Sequence, residues 1–267
     1  MTTTSKIIPV VVIFRRKRTP DGQLKKHKAR LCVRGDLQDN DFVTFAPVVS
    51  WSSVRLFLGI AMTLGWVTVS VDWANAFIQA PLETPIFIHL PRGFISSKGP
   101  NTCLKLKRSL YGTNTAPRLW WQHLRKALID LGMQECPHDQ CLLCRPGLIM
   151  VLYVDDAGIA APTREGIDQF VQELKNKGFD LEIEDDFNEY LGIKIDELSG
   201  GARNMTQKGL IWKVIKAAKM TDCNPNWLPA TQFALGADPS GDLHDQAKWK
   251  YSSICWHAPL PCQQHSP

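Results

Sequence analysis

Two adjacent aspartates, Asp155 and Asp156, interrupt an otherwise apolar stretch of this chain. Leu148 to Leu152 precedes them without a polar side chain, and Ala157 to Ala160 follows. Short apolar runs on either side of a polar step read as two buried strands joined by a turn at Val154-Asp155-Asp156. Carboxylates at the tip of a buried hairpin are costly unless a cation neutralises them. Mg²⁺, a hard ion that takes carboxylate oxygens, is the natural candidate. Neighbouring side chains diverge on a strand or tight turn, so one aspartate holds an ion while the next lies further off. A further carboxylate must then come from elsewhere in the chain. Asp72 fits, because it ends the short apolar strand Val67 to Val71 and precedes the small residues Ala74 and Ala76. One Asp on a strand and an Asp pair on a neighbouring hairpin is the arrangement that two-metal phosphoryl transfer needs. The competing reading is an ordinary turn, where Asp is common.

The chain of 267 residues is long enough to bury a substantial core. Its 44% hydrophobic and 21% charged residues exclude a disordered chain. No apolar run reaches the roughly 18 residues of a membrane span. Met1 to Val12 lacks a basic leader, and the apolar run Ile7 to Phe14 is short, so no cleaved signal peptide is expected. The eight cysteines then read as free thiols of an intracellular protein, cytoplasmic or nuclear and not secreted. Net charge is +5, unevenly spread. Met1 to Asp36 holds ten Lys or Arg against two Asp, whereas acid predominates from Glu165 to Glu197. A basic front end suits nucleic acid or a nucleoside triphosphate, or else is a solvated hairpin surface.

Ile7 to Phe14 and His27 to Val33 read as strands joined through the turn Thr19-Pro20-Asp21-Gly22. Ser50 caps a helix running to about Leu64, which Gly65 ends. Val67 to Val71 is a strand, and Ala74 to Gln79 a short turn or helix broken by Pro81. Ile86 to Leu90 and Cys103 to Leu106 are strands. Pro117 to Leu131 has the clearest helical face, with Leu119, Trp120, Leu124, Ala127, Leu128 and Leu131 together. Leu148 to Tyr153 and Ala157 to Ala160 form the hairpin. Arg164 to Lys177 is an amphipathic helix, Tyr190 to Ile195 a strand and Ile211 to Met220 a helix. Strands and helices without regular alternation argue an α+β fold.

Several ordered motifs resemble the reverse transcriptases of Ty1/copia-type retrotransposons, from about Val11 to about Ile254. They are Lys28-Ala29-Arg30-Leu31 with Arg34-Gly35, Thr44-Phe45-Ala46-Pro47-Val48, and Val71-Asp72-Trp73-Ala74-Asn75-Ala76-Phe77, which is similar to polymerase motif A. Leu90-Pro91-Arg92-Gly93-Phe94 follows, then Leu110-Tyr111-Gly112 with Ala116-Pro117-Arg118 and Trp120, similar to motif B. Tyr153 to Asp156 resembles motif C, and Tyr190-Leu191-Gly192-Ile193 the primer grip. The resemblance implies a right-hand polymerase of fingers and palm with an antiparallel palm sheet and a thumb that is partial or missing. It divides residues 1–254 into fingers at about 1–66 and 80–107, palm at about 67–79 and 108–198, and a connection or thumb remnant at about 199–254.

The implied activity is RNA-directed DNA synthesis, adding deoxynucleoside triphosphates (dNTPs) to a primer 3′-hydroxyl on an RNA or DNA template. Asp72 and Asp155 would be the main ligands of two Mg²⁺ ions, with Mn²⁺ as a substitute, and Asp156 would complete the catalytic triad. The backbone carbonyl of Trp73 would add a metal ligand. Lys28 and Arg30 would grip the triphosphate, with Arg34 an alternative or a primer–template contact. Phe77 would exclude a ribose 2′-hydroxyl, or else is a core aromatic. Tyr111 and Gly112 would border the nucleotide, small Gly112 letting the backbone approach. Tyr153, Leu191 and Gly192 would contact primer or template. Lys28, Arg30 and Arg34 also fit a solvated hairpin face. The implied partners are template with primer, dNTPs and the remainder of a Pol polyprotein, with no membrane, inside a cytoplasmic virus-like particle or the nucleus.

Cys136, His138, Cys141 and Cys144 match no standard zinc-finger spacing, and a zinc-binding module rests on them alone. Trp120 is expected in the core rather than against bases, and His89 and His123 lack catalytic partners. The chain departs from the family in Thr113-Asn114-Thr115, where Leu-Lys-Gln is usual. That exchange removes a cation beside the template. The chain also begins inside the fingers and carries no RNase H, protease or integrase sequence. After Tyr251-Ser252-Ser253-Ile254, residues 255–267 read as an out-of-frame tail, because a one-base shift with suitable codons restores a family-like Val-Gly-Met-Leu-Leu-Tyr-Leu run. These departures point to the alternative of an inactive, truncated remnant that retains nucleic-acid binding.

Overall fold

The computed structural model describes residues 6–18, 24–38, 43–99, 102–185, 187–198 and 202–224. The turn at residues 19–22 and everything from 225 onward, including residues 251–267, lie outside them. In chain order, β1 (Ile7–Ile8), β2 (Val10–Arg18) and β3 (Leu24–Val33) lead to α1 (Trp51–Thr63), β4 (Val67–Trp73) and α2 (Ala76–Gln79). Next come β5 (Phe87–His89), β6 (Cys103–Lys105), α3 (Ala116–Asp130), β7 (Gln134–Cys136) and β8 (Asp139–Arg145). Then follow β9 (Leu148–Tyr153), β10 (Asp156–Ala161), α4 (Arg164–Asn176) and β11 (Leu181–Glu184). The last are β12 (Glu189–Tyr190), β13 (Ile193–Glu197), β14 (Arg203–Thr206) and α5 (Lys208–Ala217). Strands and helices are mixed over several sheets, as α+β patterning predicts.

The chain divides into two compact units, one ending at Phe187 and one beginning at Asn188. In the first, six strands in the order β11-β4-β10-β9-β8-β7 form one sheet, antiparallel at every pairing. β9 is buried from Leu148 to Leu152 because both of its faces are covered. Helices supply the cover through periodic apolar faces: Val54, Phe57, Leu58 and Ala61 of α1, Leu119, Trp120, Leu124, Ala127 and Leu128 of α3, and Ile167, Phe170, Val171 and Leu174 of α4. Burying such a side chain contributes roughly 1.5–3 kcal/mol, enough to fix the register of the sheet. A smaller core of Ile8, Val33, Ile86 and Ile88 lies where β5 pairs in parallel with β1 and antiparallel with β6. β2 and β3 form a separate two-stranded ribbon.

Two local expectations change, and a third stretch takes a definite form. The hairpin turn is two residues long, because Asp156 already pairs with Tyr153 inside β10. Tyr190 to Ile195 is not one strand: Leu191 (φ 52°) and Gly192 (φ 76°) reverse the chain between β12 and β13. The stretch from Gln134 to Arg145, which the cysteines made look like a ligand cluster, is the edge hairpin of the sheet, with Cys141, Leu142 and Leu143 buried. In the second unit, β12, β13 and β14 form an antiparallel sheet, followed by α5.

Candidate active site

Strand register brings the acidic residues together. Asp72 of β4 faces Asp156 of β10 on one side and Glu182 of β11 on the other. Asp156 in turn faces Tyr153 of β9. Directly opposed residues share a sheet face, so Glu182, Asp72, Asp156 and Tyr153 form one cross-strand row. Glu184 follows on the same face two residues along. Asp156 is exposed as a residue, yet desolvation and then the charges of Asp155, Asp72 and Glu184 push its carboxyl up to about 6. Like charges opposed across a ladder repel, and a divalent cation would relieve that repulsion. Their oxygens are the hard donors that Mg²⁺ takes. Among the described residues no three His, Cys, Asp or Glu side chains are gathered as a closed ligand set, so the donors fit the ion in kind while remaining open in arrangement. Cys136, His138, Cys141 and Cys144 are likewise not gathered as such a set. Glu182 and Glu184 were not foreseen; the alternation in Leu181-Glu182-Ile183-Glu184 is the signal that aligns them on one strand face.

Asp155 sits in the turn between β9 and β10, beside Val154 at φ 54°. The Val154 carbonyl accepts a 2.6 Å hydrogen bond from Trp120 Nε1. Trp120 is core, as expected, and meets Trp73 edge-on with centroids 5.3 Å apart. Phe179 closes the cluster at 5.8 Å from Trp73 and 6.0 Å from Trp120. His123 packs on Phe179 and is held below the usual imidazole range by burial, then by Arg108 and Lys126. That favours a neutral packing role for it.

The basic ribbon docks on the Tyr111–Gly112 loop through a backbone-to-backbone contact. Val33 N donates to Tyr111 O at 2.8 Å. A Cβ on Gly112, whose φ is +87°, would lie 2.1 Å from Val33 O, and one on Gly35 would lie 2.0 Å from Gly112 O. Neither glycine tolerates a side chain there. The close approach that Gly112 permits is therefore to β3. This docking sets the Arg30 guanidinium 4.8 Å from the Tyr111 ring centroid. Arg30 Nε is buried without a hydrogen-bond partner among the described residues. The Tyr111 hydroxyl is pushed up by burial; Arg30 opposes that shift, while Asp155 and Asp72 add to it. Tyr111 therefore feels the charge of both the cation and the carboxylates. Lys28 is two residues from Arg30 on the same face of β3. Arg34 is committed elsewhere, forming a two-pronged pair with Asp36 at 2.8 and 2.6 Å.

Phe77 is half-buried, its ring 4.8 Å from that of Tyr111. Asn75, in the left-handed region, starts the short helix that carries Phe77. Gln79 anchors the helix by donating from Nε2 to Ala74 O and Asp180 O while its Oε1 accepts from Asp180 N. No motif had singled out Gln79. Thr113 and Asn114 close the Tyr111 loop: Thr113 Oγ1 donates to Leu110 O, and Asn114 N to Gln38 Oε1. Leu191 and Gly192 form the turn of the β12–β13 hairpin in the second unit.

Comparison with known proteins adds a second line. Residues 2–232 match the family model described as reverse transcriptase (RNA-dependent DNA polymerase). The chain is 30% identical over 224 residues to the retrovirus-related Pol polyprotein from transposon RE1 of Arabidopsis thaliana, covering 81% of this chain and 15% of that protein. It is 29% identical over 222 residues to the corresponding polyprotein from transposon TNT 1-94 of Nicotiana tabacum, covering 80% and 17%. It is 28% identical over 185 residues to the transposon Ty1-ER2 Gag-Pol polyprotein of Saccharomyces cerevisiae, covering 67% and 10%. The chain thus spans under a fifth of the length of these relatives.

Proposed function

The chain belongs to the reverse transcriptase (RNA-dependent DNA polymerase) family, with copia-type Pol polyproteins as relatives, and we propose that it carries their RNA-directed DNA polymerase activity. In this reading the six-stranded sheet is the palm and the β2–β3 ribbon belongs to the fingers. The supporting observation is the register that opposes Asp72 to Asp156 and sets Asp155 at the adjoining turn. Two Mg²⁺ ions, or Mn²⁺ in their stead, held by Asp72 and Asp155 with Asp156 and the Trp73 carbonyl in support, would activate the primer 3′-hydroxyl and neutralise the triphosphate.

The protein's own groups do the rest. Arg30, with an unused buried donor, and Lys28 beside it take the triphosphate oxygens. Tyr111 orients Arg30 and backs Phe77, whose ring meets the sugar edge and disfavours a 2′-hydroxyl. Tyr153 and Arg34, the latter on release from Asp36, would contact primer or template from the first unit, and Leu191 and Gly192 are proposed to do so from the second. The partners are a template with its primer, dNTPs and the remaining domains of a Pol polyprotein, and the setting is intracellular. No described helix is long and apolar enough to cross a membrane.

Primer extension on an RNA template with Mg²⁺ and dNTPs tests the reading, beside an Asp155→Asn control. Extension that the control loses supports it. A folded protein that binds primer–template without extending it instead identifies a remnant, the outcome to which the altered Thr113 to Thr115 segment would then point.

A further inference from the structure

Val154 turns the β9–β10 hairpin at φ 54°, while Asp155 is not in the positive region. That is the pattern of a turn whose first central residue is usually glycine. For a β-branched side chain the left-handed region is a strained outlier, and such strain persists only where the surroundings enforce it. The enforcing group is on α3. Trp120, 1% exposed, donates its indole N–H to the Val154 carbonyl across 34 residues of sequence. The same indole rests edge-on against Trp73, which directly follows Asp72. One rigid ring therefore grips the backbone a residue before Asp155 and the side chain a residue after Asp72.

We infer that Trp120 is a positioning residue, whose N–H holds Val154 in the left-handed conformation and so sets Asp155 relative to Asp72 for nucleotidyl transfer. It touches neither substrate nor reacting atoms. The inference rests on the polymerase reading of the site, and its test separates the two.

Trp120→Phe keeps an aromatic ring at the position and removes the donor together with part of the indole's volume, and the volume loss is the same whatever stands at residue 154. In the full chain, kcat for primer extension is expected to fall about tenfold, the scale of one buried hydrogen bond. KM for dNTP and Kd for primer–template should stay within about twofold of wild type. Glycine adopts positive φ freely, so in a Val154→Gly background the same exchange should lower kcat by about twofold or less. An equal loss in both backgrounds, or a loss carried by KM, would overturn the inference and leave Trp120 a packing residue. A second readout needs no activity. Trp73 is just as buried, yet its Nε1 has no partner among the described residues. The Trp120 indole N–H should exchange with solvent more slowly than that of Trp73, as followed by NMR on the wild-type chain. Exchange at least as fast as that of Trp73 overturns the inference. Slow exchange in a chain that fails to extend primers would uphold the Trp120–Val154 hold and overturn the polymerase reading instead.

Discussion

The six-stranded sheet presents Asp72 and Asp156 on strands whose neighbours are buried, whereas the β2–β3 ribbon presents Lys28 and Arg30 on strands open to water. Leu152, just before the acidic turn, is 2% exposed, while Phe14 of the ribbon is 78% exposed. The sheet needs no help to hold its register, since a one-residue slip would turn its whole apolar set outward. A two-stranded ribbon has no such core and is marginal by itself. What fixes it here is the contact of Val33, Gly35, Tyr111 and Gly112 at its base. The acidic half of the candidate site is thus held by packing and the proposed basic half by backbone fit, and the two should fail differently.

The largest effect is expected on the sheet side. If Asp155 holds metal as proposed, Asp155→Asn should lower primer extension roughly a thousandfold or more, because such a carboxylate would act directly on the reacting charges. Thermal unfolding of the variant should be unchanged or slightly later, since the exchange removes a charge that repels Asp156. A fall in melting temperature together with activity would instead make Asp155 a folding residue.

The ribbon side should show its own signature. Gly112→Ala needs a side chain at φ +87° and 2.1 Å from Val33 O, so the ribbon must lift. With roughly 1–3 kcal/mol of strain to relieve, KM for dNTP is expected to rise about tenfold or more. Hydrogen exchange in β9 and β10 should not change. Gly59→Ala, on a helix with nothing within 4 Å of the new Cβ, is the matched control and should leave KM alone. Loss of protection throughout the sheet in Gly112→Ala would show that ribbon and sheet are one cooperative unit.

A smaller effect, on stability alone, comes from Asp139. One carboxylate oxygen accepts from Ser50 N at 2.9 Å and Ser53 Oγ at 2.5 Å, and the other from Cys141 N at 2.9 Å. This ties the first turn of α1 to β8, where a negative charge also suits the helix dipole. Asp139→Ala should destabilise the protein by about 2–3 kcal/mol, read by urea unfolding, with KM unmoved. An unchanged midpoint would mean that Ser50, as N-cap, suffices alone.

The acidic pair, its partner strand and the main helices were legible because they rest on short-range patterns: apolar runs, caps and periodic faces. The Ser50 cap and the face of α3 needed no tertiary knowledge. What was not legible depends on pairing. Nothing local says that Glu182 lies opposite Asp72, because that is a property of β11 choosing β4 as its neighbour. Gln79 was invisible for the same reason, since its partner Asp180 is 101 residues away. The break at Leu191-Gly192 was hidden because a bulky residue at positive φ contradicts the usual turn composition. Motifs fixed the identities of the charged residues, but only the fold separates Arg30, set against Tyr111, from Arg34, paired with Asp36.

The smallest effect contrasts the interior of the sheet with its outer rim. Cys141 and Cys144 are three residues apart on β8, the first buried and the second exposed. Burial, and then the charges of Asp139 and Glu135, push the Cys141 thiol up to about 12 from an ordinary 9.0. Alkylation by iodoacetamide at pH 8 should therefore modify Cys144 and spare Cys141 until the chain unfolds. The sign of the linkage follows from the same shift. The folded state favours the neutral thiol, so its contribution to stability is full below about pH 9 and is lost as the unfolded chain ionises above it, levelling off near pH 12. Cys141→Ala should remove that part of the alkaline decline, so the stability difference between wild type and variant should shrink or reverse from pH 9 upward. Equal labelling of both thiols in the folded protein would mean that the β7–β8 edge opens independently of the strands carrying the carboxylates, and that the packed half of the site ends at β9.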